Sequence, residues 1–155
     1  HAWADFDSPV DPVEQNIDLH QNVYPFGDVR STFKAFFLKD QSIPNSGSLR
    51  SKMIRMMTIS VRDVPAAIRI IDRYKNSFRS NSDVSTLMVF KVIDGGNANQ
   101  LIMLIGSNSW EQYGKTENIQ DQLANIENGL KLKETIERIT SETLIFQQDM
   151  SIVPE

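Results

Sequence analysis

The chain has 155 residues, a net charge of −4 and no cysteine, and these three facts exclude several classes of function. Its length suits one domain that can bury roughly 70% of the surface its unfolded chain exposes. The lack of cysteine excludes disulfides, thiolate metal sites and cysteine nucleophiles. The longest apolar runs, at 56–59 and 101–105, are far shorter than the about 20 residues of a membrane helix, so no membrane span is expected.

Charge is distributed unevenly over the first third of the chain. Residues 1–28 carry six acidic side chains and no lysine or arginine, whereas residues 29–62 carry seven basic side chains against Asp40 alone. Because opposite charges attract, the acidic segment is expected to lie near the basic stretch of its own fold. Prolines and the absence of periodicity predict an irregular N-terminal arm over 1–52, with an edge strand at 32–38.

Residues 53–152 are expected to form the regular domain. Residues 53–61 are apolar on both faces and predict a strand, and Asp63 is placed to cap the helix that follows. Steps of three and four give that helix one apolar face, formed by Ala67, Ile70, Ile71, Tyr74 and Phe78. Two further strands are predicted at 84–93 and 100–105, and the Gly- and Asn-rich segment 94–99 supplies a hairpin loop between them.

The second half of this domain predicts another helix and a last strand. Ser109 and Gln112 have the spacing of a capping box, and Gly114 indicates an early interruption. The apolar stripe Ile119, Leu123, Ile126 and Leu130 then slips by one residue to the set Leu132, Ile136 and Ile139. This slip predicts that the helix bends or breaks near Gly129, and the last strand is predicted at 143–150.

The predicted order is strand, helix, strand, strand, helix, strand, which is the ferredoxin-like α+β arrangement. In that arrangement both helices pack on one face of an antiparallel sheet. The first three strands are nevertheless apolar on both sides, whereas a sheet with one wet face normally alternates. The second face must therefore be covered by the arm or by a second subunit, and we expect a homodimer through the sheet.

Several kinds of chemistry lack the residues they need. The histidines are His1 and His20, both outside 53–150, so neither acid–base catalysis by histidine nor a triad is available there. The sequence has no phosphate loop after a strand and no RNA-binding aromatic pattern, and its pI is about 5.2. Neither nucleic acid nor nucleotide is an expected partner, and no cofactor is expected.

The sequence has two kinds of residue that could bind copper, its histidines and its methionines. An N-terminal histidine can chelate copper, but its second ligand would have to be His20, and the methionines at 53, 56, 57, 88 and 103 are typical of adaptable core packing. No metal site is therefore predicted. The start at His1, without a signal peptide, favours an exported chain, periplasmic or secreted, with a residue left from cloning as the alternative.

The element order, together with the segment Ser-Asn-Ser-Trp-Glu-Gln-Tyr at 107–113, resembles the dimeric α+β barrel superfamily, which includes antibiotic-biosynthesis monooxygenase-like proteins. The resemblance covers 53–150. It implies two sheets paired face to face and a small pocket between each sheet and its helices. It also implies cofactor-independent oxygenase or isomerase activities, or no reaction at all, with Trp110 near the pocket and Asn108 as a polar neighbour. Haem is not expected, because the second helix has no histidine.

The predicted ligand site combines strand and helix residues. Of the two faces of the strand at 53–61, the mixed set Ile54, Met56, Thr58 and Ser60 is expected to face the helices and line a cavity. Trp110 and Tyr113 would be its walls, and one of the bases within the strands, Arg55, Arg62 or Lys91, could anchor a carboxylate. A small apolar or aromatic ligand is expected. The alternative is a non-enzymatic module for dimerisation or partner recognition, in which the arm 1–52 carries the contact.

Overall fold

The structure, a computed structural model, describes residues 33–43, 51–79, 86–132 and 134–145. Five strands run through these residues: β1 Lys34–Phe37, β2 Met53–Val61, β3 Thr86–Asp94, β4 Gln100–Ser107 and β5 Ile136–Ile145. Three α-helices accompany them: α1 Val64–Arg79, α2 Trp110–Gly114 and α3 Ile119–Gly129. A short 3-10 helix, Lys39–Gln41, follows β1. None of the described helices combines the length and apolar character that crossing a membrane requires.

All five strands belong to one antiparallel sheet with the order β1-β3-β4-β2-β5. When β1 is left out, the remaining order is β3-β4-β2-β5. This is the order of a strand–helix–strand–strand–helix–strand chain in which each helix connects two strands that are not neighbours in the sheet. The ferredoxin-like α+β fold with helices on one face is therefore confirmed. The added strand β1 lies at the outer edge beside β3, within the range 32–38.

The main core lies between the sheet and the helices α1 and α3. Helix α1 contributes Ala67, Ile70, Ile71, Tyr74 and Phe78, the five residues that the periodicity of the sequence predicts. Helix α3 adds Ile119 and Leu123, which are buried in the same cluster. Asp63 starts α1 as expected, because its carboxylate accepts a hydrogen bond from the Ala66 amide at 2.9 Å.

Strand β2 turns towards this core the face opposite to the one that the sequence analysis predicts. Met57, Ile59 and Val61 are buried in the core, so the set that includes Ile54, Met56, Thr58 and Ser60 points away from the helices. The prediction that this mixed set faces the helices is therefore wrong. The reason is energetic: the buried residues of the opposite set, Met53, Met57, Ile59 and Val61, are all apolar. Turning that set towards the helices therefore removes more apolar area from water.

We call the sheet face opposite the helices the outer face. Cross-strand pairing places there, on the three central strands, the half-buried or buried residues Ile54, Met56, Thr58, Ser60, Met88, Phe90, Ile102 and Leu104. Most of these side chains are apolar, as the two-sided apolar pattern of the sequence requires. No helix among the described residues lies over this face.

The start of β5 is the second departure from the sequence prediction. Helix α3 ends at Gly129, so the structure has the break that the sequence allowed there, but β5 begins at Ile136, seven residues before the predicted start. The predicted helical residues Ile136 and Ile139 pair with Val61 and Ile59 on β2. The last part of the predicted strand, 146–150, lies outside the described residues.

An irregularity in strand pairing explains the error. The register of β2 against β5 shifts between Ser60 and Val61, so that Glu137 is an extra residue on β5. Because of this bulge, Ile136 and Ile139 reach the same face although they are three residues apart. A spacing of three on one face is typical of a helix, and the sequence pattern alone cannot separate the two cases.

Candidate functional site

One corner of the sheet, beside helix α2, gathers aromatic and polar side chains around Arg55. Arg55 lies on the inner, helix-facing side of β2 and is half-buried. Its Nε donates a hydrogen bond to Thr116 Oγ1 at 2.8 Å. Its guanidinium carbon lies 4.2 Å from the centre of the Tyr113 ring, which is a cation–π geometry. The cation is therefore fixed both by a hydrogen bond and by an aromatic face.

Tyr113 is held in turn by neighbours from two parts of the chain. Its hydroxyl forms a hydrogen bond with the Thr143 hydroxyl on β5, and its carbonyl accepts one from Thr116 Oγ1 at 2.6 Å. The Trp110 ring meets the Tyr113 ring edge-on, with the ring centres 5.6 Å apart. We call this group the Arg55 corner, formed by Arg55, Trp110, Tyr113, Thr116, Ser141 and Thr143.

The short helix α2 owes its position to its first turn. The Ser109 side chain accepts a hydrogen bond from the Gln112 amide at 3.2 Å, which confirms the predicted cap. The Gln112 side chain returns to the Asn108 amide at 3.0 Å. These two bonds orient the turn that carries Trp110 and Tyr113 over the end of β2. Trp110 remains 64% exposed there, so one of its faces is available for a contact.

Several N–H donors of the Arg55 guanidinium have no acceptor among the described residues. A guanidinium has five N–H groups, and beyond Nε only Nη1 has a described acceptor, Ser141 Oγ at a long 3.5 Å. No carboxylate among the described residues pairs with Arg55. A half-buried cation without a counter-charge is costly, and an anion placed at its outer edge would satisfy the remaining donors.

The positive charge of Arg55 also influences Tyr74, a buried side chain of the core. Burial raises the pKa of the Tyr74 hydroxyl on α1, and the positive charge of Arg55 opposes that rise. Ser107, at the end of β4, lies on the same face as Arg55 and diagonal to it, about 7–8 Å away by strand geometry. Its hydroxyl is buried and has no hydrogen-bond partner among the residues that the structure describes. The polar character of this corner thus extends inward from the surface.

The structure separates the five predicted ligand-binding residues into two groups. Trp110 and Tyr113 lie together at the Arg55 corner. Met56, Thr58 and Ser60 lie on the outer face, on the other side of the sheet. A single pocket lined by all five is therefore not formed within one chain, and a role of the three strand residues in ligand binding remains a prediction.

Sequence reasoning missed Thr116 and Thr143. Thr116 lies in the turn between α2 and α3, where its pattern resembles that of any surface threonine. Thr143 is paired with Arg55 across β2 and β5, a register that depends on the bulge at Glu137. The sequence signals for this corner were Trp110 and Tyr113 at the start of the second helix and Arg55 as one of three bases within the strands.

Other features of the described residues are distinct from this corner. A groove of about 520 Å³ lies between α1 and α3, lined by Arg73, Asn76, Ser77, Ile126, Gly129 and Leu130. Across the part of the chain that the structure describes, no group of three histidine, aspartate or glutamate side chains is arranged to hold a metal ion. His1 and His20 lie outside that part.

No protein-family model matches the sequence, and no curated protein matches it. Solved structures are similar in fold. One is a candidate monooxygenase from Lactobacillus acidophilus NCFM, 15% identical, with a TM-score of 0.46, over 60% of this chain and 43% of that protein. The chain thus spans less than half of the Lactobacillus protein.

Another similar structure is an uncharacterized ferredoxin-fold protein from Listeria monocytogenes 4b F2365, related to antibiotic biosynthesis monooxygenases. It is 11% identical, with a TM-score of 0.52, and the match covers 79% of this chain and 70% of that protein. At this identity the similarity concerns the fold. The chain has the ferredoxin-like fold of a protein related to antibiotic biosynthesis monooxygenases, as the resemblance in element order predicted.

Proposed function

We propose that this protein binds a small aromatic molecule carrying an anionic group, and that the Arg55 corner is the binding site. The observation that carries the proposal is the half-buried guanidinium of Arg55, which has unused donors and no carboxylate partner among the described residues. Guanidinium groups bind carboxylates through two parallel hydrogen bonds, which add both energy and orientation. An aromatic carboxylate is the simplest ligand that uses this feature.

The aromatic side chains support the ring part of that ligand. Trp110 is exposed and meets Tyr113 edge-on, so a planar ring can pack against its open face. Tyr113 is already held by the Thr143 hydroxyl and by Arg55, so little conformational entropy is lost there on binding. The site would then hold the anionic group at Arg55 and the ring beside Trp110.

The corner is better equipped to bind than to transfer protons. Its described members are a guanidinium, two aromatic rings and hydroxyl groups, without an imidazole or a carboxylate. The proposal includes a metal-independent oxygenase or isomerase reaction, in which Arg55 would stabilise the negative charge that develops on the substrate. The relation of the Listeria protein to antibiotic biosynthesis monooxygenases supports this part through the fold alone.

Tryptophan fluorescence tests the binding proposal, with benzoate and 1-naphthoate as probes and the corresponding amides as neutral controls. We expect the acids to bind more tightly than the amides and Arg55→Met to weaken acid binding by about 10- to 100-fold, the loss of a charged hydrogen bond. Arg55→Lys keeps the charge but loses the paired N–H donors of the guanidinium, so its affinity for the acids should lie between that of the original protein and that of Arg55→Met. Trp110→Phe separates the signal of Trp110 from that of Trp3.

The matched control is Arg69→Met, which removes an exposed arginine from α1. It should leave acid binding unchanged. Thermal unfolding of each variant shows whether the fold is kept. Equal affinity for acid and amide, or full acid binding by a folded Arg55→Met protein, would contradict the proposal.

A second function, homodimerisation through the outer face, is favoured by a different observation. The apolar residues of that face, such as Met88 and Leu104, have no described helix over them. Covering them with a second copy would remove apolar surface from water. Light scattering at micromolar concentration should give twice the 17.6 kDa of one chain, and Leu104→Glu should lower this value. A stable monomer at all concentrations would rule this function out.

A further inference from the structure

Strand β5 places two opposite charges beside the apolar outer face. Arg138 pairs across the sheet with Ser60, and Glu142 pairs with Met56, so both charged side chains belong to the outer face. Both are exposed, and within the described part of the chain neither forms an ion pair. Their separation is four residues, or about 13 Å along the strand, so they do not meet each other.

The other charges near the ends of β5 and β3 are already paired. Arg62 binds Glu134 and Glu137, and these contacts, the hydrogen bond to Glu137 first, raise the pKa of Arg62. Lys34 lies 3.6 Å from Asp94 at the opposite edge of the sheet. Arg138 and Glu142 are therefore a complementary pair whose members have no described partner.

A two-fold axis across the strands brings such a pair together. If the axis passes through the level of Thr140, β5 lies over β5 of the second copy in the opposite direction. Arg138 then faces the partner subunit's Glu142, and Glu142 faces the partner subunit's Arg138. Packed sheets are about 10 Å apart, a gap that an arginine and a glutamate can span together.

Other arrangements lose this match. Placing β5 over β5 in the same direction sets each charge opposite its own kind, which costs free energy at an interface. Moving the axis by two residues along β5 leaves at least one charge without a partner. The two charges therefore distinguish one arrangement of the outer faces from its competitors.

We propose that Arg138 and Glu142 set the register of a two-fold homodimer, each pairing with its opposite on the second copy. This inference rests on the proposed dimerisation through the outer face, and it specifies the partner as an identical chain. The apolar residues would supply the affinity, and the charges would select the arrangement.

Charge reversal tests the inference by sedimentation equilibrium of the full chain. Arg138→Glu and Glu142→Arg each place like charges opposite each other, so each should raise the dimer dissociation constant by at least about tenfold. The double variant restores opposite charges in exchanged positions and should return the constant to within about threefold of the original. Arg69→Glu and Glu117→Arg change the net charge equally at exposed sites outside β5 and should have no effect.

The outcomes separate this inference from the dimer itself. An original chain that stays monomeric at every concentration overturns both the dimer and the pairing. A dimer that is indifferent to both single reversals, or a folded double variant that stays as weak as the singles, overturns the pairing alone. Circular dichroism of each variant confirms that β5 is still formed.

Discussion

Gly106 on β4 is the position at which an added methyl group should be most harmful. A Cβ there would lie 2.5 Å from Thr86 Cγ2 and 3.0 Å from Ser51 Cβ, and closer still to Ser51 Oγ. Both neighbours are buried, and the Thr86 hydroxyl donates to the Ile43 carbonyl at 3.1 Å. Neither side chain can move without breaking an interaction, so the strand itself must shift.

The size of the effect follows from these contacts. Adding a methyl group to a packed site costs typically about 1–3 kcal/mol, and loss of the Thr86 hydrogen bond alone would account for about 1 kcal/mol. We expect Gly106→Ala to lower the free energy of unfolding by about 2 kcal/mol. For a chain of this length that corresponds to a fall of about 4–8 °C in the melting temperature.

Chemical denaturation of Gly106→Ala and of Gly129→Ala provides the matched comparison. No atom lies within 4 Å of a Cβ at Gly129, which ends α3, so the same change there should stabilise the protein by about 0.4–1 kcal/mol. Adding Thr86→Ser removes the closest methyl group and should recover part of the loss in Gly106→Ala. If Gly106→Ala is as stable as Gly129→Ala, the packing argument at β4 is refuted.

Three further changes test other parts of the structure. Because burial raises the pKa of Tyr74 above its ordinary 10.0, stability from this group is complete below pH 10 and falls by up to about 1.4 kcal/mol per pH unit above it. Tyr74→Phe should flatten that fall in urea denaturation between pH 8 and 11, and an unchanged slope would exclude Tyr74 as its source. Glu127 Oε1 accepts hydrogen bonds from the backbone amides of Thr135 and Ile136 at 2.6 and 3.0 Å. Glu127→Ala should therefore lower the free energy of unfolding, measured by denaturation, by about 1–3 kcal/mol. An unchanged free energy of unfolding would mean that water takes over both hydrogen bonds. Lys131 has a φ of 56°, in the left-handed region that favours glycine, so Lys131→Gly should raise the melting temperature. An unchanged or lower melting temperature would show that the backbone at Lys131 is unstrained.

Local rules in the sequence account for most of the elements. The limits of β2, the Asp63 cap of α1, the five core residues of α1 and the Ser109 cap of α2 follow from periodicity and side-chain hydrogen bonding within a few residues. The alternation of helices and strands then leads to the ferredoxin-like order. These features involve neighbours in the chain, so no distant contact is needed to predict them.

Contacts between distant residues account for the remainder. Alternation divides β2 into two faces, but the helix packing decides that Met57 and Ile59 are inside and Met56 is outside. The bulge that places Ile136 and Ile139 on one face exists only through pairing with β2.

The Arg55 corner is determined by the same kind of contact. The guanidinium meets Thr116 across 61 positions in the chain, and Tyr113 meets Thr143 across 30. Local propensity acts over a few residues, whereas these contacts form only once the sheet has its register and α2 lies over its end. The sequence therefore predicts most of the elements and offers Arg55 as one of three bases within the strands, and the packed sheet determines which side chains surround that arginine.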